Sequence, residues 1–142
     1  MPDFVAVEFP VARPVGSREW GDEILLALSP RQYSMKLLRI RAGKGGGLQY
    51  HRHKDEADYI VSGTLLVRFQ GSDGLLTQRI LGPGECVRFP TGAIHQTEAI
   101  TDVVIIEVST PHFNDRVRVE DRFGLPTGGG LPSTKPEEVQ LW

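Results

Sequence analysis

The chain has 142 residues, 39% hydrophobic and 24% charged, with a net charge of −2 and a pI near 6.1, which describes one soluble domain large enough to bury a real core. It carries no basic run and no basic-aromatic patch, which excludes a nucleic-acid partner, and its longest aliphatic run, Val103-Val104-Ile105-Ile106, stops at Glu107, far too short to cross a bilayer. A single cysteine, Cys86, excludes an internal disulfide framework, and Met1-Pro2-Asp3-Phe4 lacks a charged-then-apolar leader, so a cytoplasmic enzyme or binding protein is expected.

Phe4 to Phe9 alternates apolar and mixed residues and predicts a short edge strand, which Pro10 and Pro14 interrupt. Arg18 to Glu23 reads as a turn, Ile24 to Leu28 as a strand, Ser29-Pro30 as a turn and Tyr33 to Arg41 as a strand. The glycine-rich stretch from Ala42 to Gly47 could not stay ordered in a helix. A strand carrying Gln49, His51 and His53 comes next, followed by a turn at Lys54-Asp55. Further strands are predicted at Glu56 to Val61, Thr64 to Gln70, Leu75 to Leu81, Glu85 to Phe89, His95 to Ala99 and Val103 to Ser109. Glycine, proline, serine and aspartate turns separate them. Cys86 falls among Val87 and Phe89, on the expected core side. Asp115 to Phe123 predicts a last strand and a helical turn. No amphipathic helix of useful length is present, so the fold class is all-β, a sandwich or barrel. The domain is expected to span residues 1–124. Residues 125–142, with Pro126, Gly128 to Gly130, Pro132 and Pro136, are expected to form an extended tail on the surface or against a partner subunit.

Chemistry concentrates in two stretches. Gln49, His51 and His53 are spaced by two, so in an extended strand they share a face. Glu56 follows, and His95 arrives after the turn residues Pro90 and Gly92. Neutral imidazole and carboxylate are good ligands for zinc, manganese, iron or nickel. Three of the four histidines fall in these stretches, which favours a divalent metal site over scattered surface residues. Glu56 is read either as a ligand or as an uncoordinated general base beside the ion. Asp58 shares its parity and can face the same cavity. Arg39, Arg41, Arg68 and Arg88 could clamp an anion, although arginines on barrel strands more often face solvent. His112, between Pro111 and Phe113, reads as a loop residue.

Gly47, His51, His53, Glu56 and Gly63 resemble the first cupin motif. Gly84, Pro90, Gly92 and His95 resemble the second, with Ala99 where that motif ends in Asn. The resemblance implies a single-domain cupin, a jelly-roll barrel (double-stranded β-helix) with a metal inside. The stretch Leu48-Gln49-Tyr50-His51-Arg52-His53-Lys54-Asp55-Glu56 is similar to the cupin domain of type II mannose-6-phosphate isomerases, as are Trp20-Gly21, Tyr33 to Ile40 and Val117 to Gly124. Lys54 stands where that group has Arg, and Ala57-Asp58 where it has His-Trp. With His51, Glu56 and His95 as metal ligands, the set is completed either by His53 or, as that pattern implies, by the amide oxygen of Gln49, with His53 then lining the pocket. Lys36 matches a lysine of the group, there to bind phosphate or polarise a carbonyl. The resemblance implies an isomerase-like enzyme acting on a small-molecule sugar or sugar phosphate, with Glu56 and Lys36 in catalytic roles. It also implies a homodimer that exchanges N-terminal strands. A metal-dependent oxygenase or lyase on a small acid, and a non-catalytic metabolite-binding module, use the same ligands.

Overall fold

The computed structural model describes residues 3–113 and 115–119; the tail expected at 125–142, and the helical turn before it, lie outside them. Among the described residues there are eleven strands and no helix: β1 Arg13–Arg18, β2 Gly21–Ser29, β3 Tyr33–Ile40, β4 Gln49–His51, β5 Glu56–Ser62, β6 Leu65–Gln70, β7 Leu76–Leu81, β8 Cys86–Phe89, β9 His95–Ala99, β10 Val103–Ser109 and β11 Arg116–Arg118. They form two antiparallel sheets in the orders β1-β2-β3-β10-β5-β8 and β11-β4-β9-β6-β7. The many non-consecutive neighbours are the crossovers of a jelly-roll barrel.

Strict alternation drives this arrangement. Along β3, β5 and β10, buried residues alternate with more exposed ones, so each strand commits one face to the interior. Ile60, Leu65, Val67, Val103 and Ile105 are at most 2% exposed and pack with Trp20, Leu38, Ile40, Leu81 and Phe89. Burying each large aliphatic side chain contributes about 1.5–3 kcal/mol.

The inner face of the larger sheet changes character along its length. Leu38, Ile105 and Ile60 align across β3, β10 and β5, and so do Lys36, Glu107 and Asp58. One row further on come Ser34, Ser109 and Glu56. The barrel is thus an oil core at one end and a buried polar chamber at the other. All six of those polar side chains are at most 7% exposed.

Two expectations are corrected. Residues 3–12 form no strand, and Phe4 and Phe9 stand in solvent; without cross-strand partners their alternation has nothing to pair with. The strand instead begins at Arg13 and runs through Pro14, because β1 is a sheet edge with β2 as its neighbour, where a missing N–H breaks no ladder. Cys86 is exposed, since β8 is also an edge and its side chain points outward while Phe89 is buried.

Candidate metal centre

Three donors meet in the polar chamber. His51 Nε2 lies 3.4 Å from Glu56 Oε1, and His95 Nε2 lies 3.8 Å from the same oxygen. The ligand atoms of the three residues all fall within 4.8 Å of one another, and all three residues are buried. Gln49 is the cross-strand partner of His95, so the two share a face. Its Oε1 is buried with no hydrogen-bond partner.

The hydrogen bonds fix what each ring offers. His95 Nδ1 lies 2.8 Å from the Ala93 carbonyl, which only accepts, so Nδ1 carries the proton and Nε2 carries the lone pair. His51 Nδ1 lies 3.0 Å from Asp115 Oδ1 and donates to that carboxylate, which turns its Nε2 toward Glu56. Phe89 stacks on the His95 ring at 3.9 Å and 10° and holds its plane. Burial, the largest influence, depresses the His95 pKa to about 4, so the ring is a neutral donor at pH 7.

Two imidazole nitrogens, one carboxylate oxygen and one amide oxygen therefore converge. A cation between them would be matched by all four at once. The orphaned Gln49 oxygen alone costs about 1–3 kcal/mol if left unmatched. Nitrogen and oxygen donors of this kind suit zinc, manganese, iron or nickel, and the cluster could hold such an ion.

A second shell of charge surrounds it. Asp115 Oδ2 accepts backbone N–H bonds from His53 (2.8 Å) and Lys54 (2.7 Å) while Oδ1 orients His51. Although burial opposes it, these bonds hold the Asp115 carboxyl below the ordinary range. Lys54 Nζ donates to Glu107 Oε1 at 2.9 Å and lies 3.7 Å from Glu56 Oε2. Burial disfavours the Lys54 ammonium, but Glu107 and Glu56 outweigh it and raise its pKa. Burial likewise opposes the Glu56 anion, and above all the Lys54 ammonium reverses the balance, leaving Glu56 ionised. Glu56, Asp58 and Glu107 bring carboxylate oxygens within 4.8 Å of one another, and one ammonium cannot neutralise three carboxylates. The cluster keeps a proton: burial, with the neighbouring carboxylates, raises Asp58 well above the usual range and raises Glu107 as well. One Asp58 oxygen is buried without a partner.

His51, Glu56, His95 and Gln49 thus come together, and Asp58 and Lys36 line the same cavity of about 90 Å³. Lys36 lies 3.4 Å from Glu23 and 4.9 Å from the Phe113 ring centre. His53 is placed elsewhere: β4 ends at His51, the alternation stops there, and His53 is exposed with its ring 5.6 Å from His112. The four arginines considered as clamps also lie off the cavity lining. Arg39 is exposed; Arg41 donates to the Glu19 carbonyl, Arg68 to Gln96 and Glu98, and Arg88 to Asp55. The sequence reading missed Glu23, Lys54, Glu107 and Asp115. Glu107 was visible as a lone charge inside an apolar strand. His112, read as a loop residue, sits in the cavity wall.

Fold and site together define a small jelly-roll barrel with an interior donor cluster able to take a metal ion. The Cupin domain model matches residues 36–109, just over half of the chain. The chain belongs to the cupin family. It is 31% identical over 112 residues to the mannose-1-phosphate guanylyltransferase ManC of Salmonella typhimurium, covering 75% of this chain and 22% of that protein. The chain therefore spans about a fifth of that relative's length. Among solved structures, the capsular polysaccharide assembling protein CapF from Staphylococcus aureus aligns with a TM-score of 0.65 at 21% identity, covering 78% of this chain and 32% of that one. An oxalate decarboxylase of Bacillus subtilis, studied for its Mn(II) centres, aligns at 0.60 with 21% identity, covering 74% and 29%. Among the described residues no helix is long and apolar enough to cross a membrane.

Proposed function

We propose that this cupin is a divalent-metal enzyme that isomerises a small sugar or sugar phosphate. The observation that carries the reading is the convergence of the buried His51, His95 and Glu56 donor atoms beside the unpartnered Gln49 oxygen. The likeness to ManC over three-quarters of the chain supports the sugar class. A bound divalent ion would polarise a carbonyl and its neighbouring hydroxyl. The chain's own residues supply the rest. Glu56, Asp58 and Glu107 stand within reach of one another and can take a proton from the hydroxyl-bearing carbon and return it to the neighbouring carbonyl carbon. One of them arrives protonated and one ionised, as such a transfer needs. Lys36, held by Glu23 at the cavity wall, can donate to the carbonyl oxygen.

The test is elemental mass spectrometry on protein purified without added metal, beside a His51→Ala, His95→Ala double variant, followed by NMR of aldose–ketose interconversion in zinc- or manganese-loaded protein. The reading expects near-stoichiometric metal, lost in the variant, and turnover of at least one sugar or sugar phosphate. Metal without turnover on a broad panel would sink the isomerase and leave a binding module. The likeness to a decarboxylase with Mn(II) centres favours a second reading, a lyase on a small acid, which the same loaded sample tests by carbon dioxide release.

A further inference from the structure

We propose that Arg116 binds an anionic group of the cavity's ligand, so that the pocket selects a small polyhydroxylated molecule bearing a phosphate or carboxylate. The inference rests on reading the chamber as a ligand pocket.

The placement of Arg116 comes from register. β11 pairs with β4 so that Arg116 stands opposite His51, and cross-strand partners share a face. Arg116 accordingly lines the cavity, half-buried near its mouth beside His112 and Phe113. Every other cation lining this cavity already has an acidic partner: Lys54 has Glu107 and Glu56, and Lys36 has Glu23. Asp115, its sequence neighbour, spends both oxygens on His51 and on the N–H groups of His53 and Lys54. Among the described residues Arg116 forms no ion pair within 4 Å. Burial and the like charge of Arg118 lower its pKa, and Glu23 offsets this in part, so the guanidinium is under-compensated yet still charged at neutral pH.

The rest of the chamber sorts the ligand's other groups. Its wall also holds the buried cluster Glu56, Asp58 and Glu107, whose oxygens accept hydrogen bonds from hydroxyls and whose net negative charge repels an anion. A ligand's negative group is therefore excluded from the carboxylate cluster and attracted to Arg116. There a planar fork of donors matches phosphate or carboxylate oxygens in pairs.

The experiment is calorimetric binding to the zinc-loaded full chain, with a hexose 6-phosphate, a hexuronate and the neutral hexose as probes, in wild type, R116Q, R116K and the neighbouring R118Q. At least one anionic probe is expected to bind at least tenfold tighter than the neutral hexose. R116Q should abolish that preference without changing metal content, R116K should restore part of it, and R118Q should keep it. A preference for phosphate over uronate identifies a phosphate ester, and the reverse identifies a sugar acid. Equal affinity for charged and neutral probes in wild type, no binding of any probe, or equal weakening of all three by R116Q would each overturn the proposal. If R116Q fails to fold, R116K and the loss of the preference in about 0.5 M salt, expected because salt screens an ionic contact, decide it. Binding selectivity without turnover would leave this inference standing and remove the isomerase reading, so the two fail separately.

Discussion

His95 and Asp58 show how burial sets chemistry one side chain at a time. In the unfolded chain His95 titrates near 6.5, and in the fold near 4, so between those values the unfolded state binds more protons. In metal-free protein the stability this histidine contributes is therefore complete above pH 6.5 and is lost as the pH falls toward 4. The loss is about 3 kcal/mol at most. Urea unfolding at pH 7 and pH 4.5 should show it in wild type and much less of it in His95→Gln; an equal drop in both would refute the assignment. Asp58 has the opposite sign. Its raised pKa means the unfolded state loses its proton first, so this residue costs stability as the pH rises above the ordinary carboxylate range. Asp58→Asn keeps the shape and removes that cost, so its melting temperature at pH 8 should exceed the wild-type value, while at pH 4 the two should converge. Asp115→Asn is expected to weaken metal binding about 10- to 100-fold, since a carboxylate that orients a histidine ligand is worth that much, as read by competition with a chelator. The sequence made His51, Glu56 and His95 legible because histidine is rare and the spacing is short. Asp115 and Lys54 were not legible, since their positions depend on β11 pairing with β4 and on the turn after His51, which no periodicity encodes.

At the level of strands, turn residues carried most of the information. β9 and β10 occupy the same residues that the sequence predicts, His95–Ala99 and Val103–Ser109, because each is bounded by breakers. β1 was hidden by Pro14, a residue that argues against a strand except at an edge. β4 is shorter than the spacing of Gln49, His51 and His53 suggests, and that is why His53 leaves the donor face. The hairpin between β5 and β6 depends on Gly63. Its φ is +86°, and a Cβ there would stand 2.0 Å from the Asp102 carbonyl oxygen. Gly63→Ala thus combines left-handed strain with a backbone collision and should cost about 3 kcal/mol or more. Gly43 has a similar φ of +81° but open space around it, so Gly43→Ala isolates the strain alone, about 1–2 kcal/mol. Similar urea midpoints for the two variants would mean that the carbonyl yields and that the close approach of the two backbones is not rigid.

The barrel as a whole leaves one apolar segment without a surface to cover. Phe4, Val5, Val7, Phe9 and Val11 are each between 79% and 91% exposed, on a stretch that leads into the edge strand β1 and belongs to neither sheet. A run of five large apolar side chains in water marks an interaction surface, and an extended segment can add to an exposed sheet edge or lie across an apolar face. The barrel offers both in a second copy, since β7 and β8 end their sheets without further partners among the described strands and Ile80 and Leu75 on or beside β7 are exposed. Exchange of these segments between two copies would bury the arm of each against one edge of the other in a single symmetric contact. Sedimentation equilibrium is expected to return a dimer for the full chain. A Phe4→Asp, Phe9→Asp variant should give a monomer with its metal content intact, because the arm touches none of the chamber residues. A monomeric mass for the full chain at micromolar concentration would refute the exchange, and a dimer that survives the double variant would move the interface to another face of the barrel.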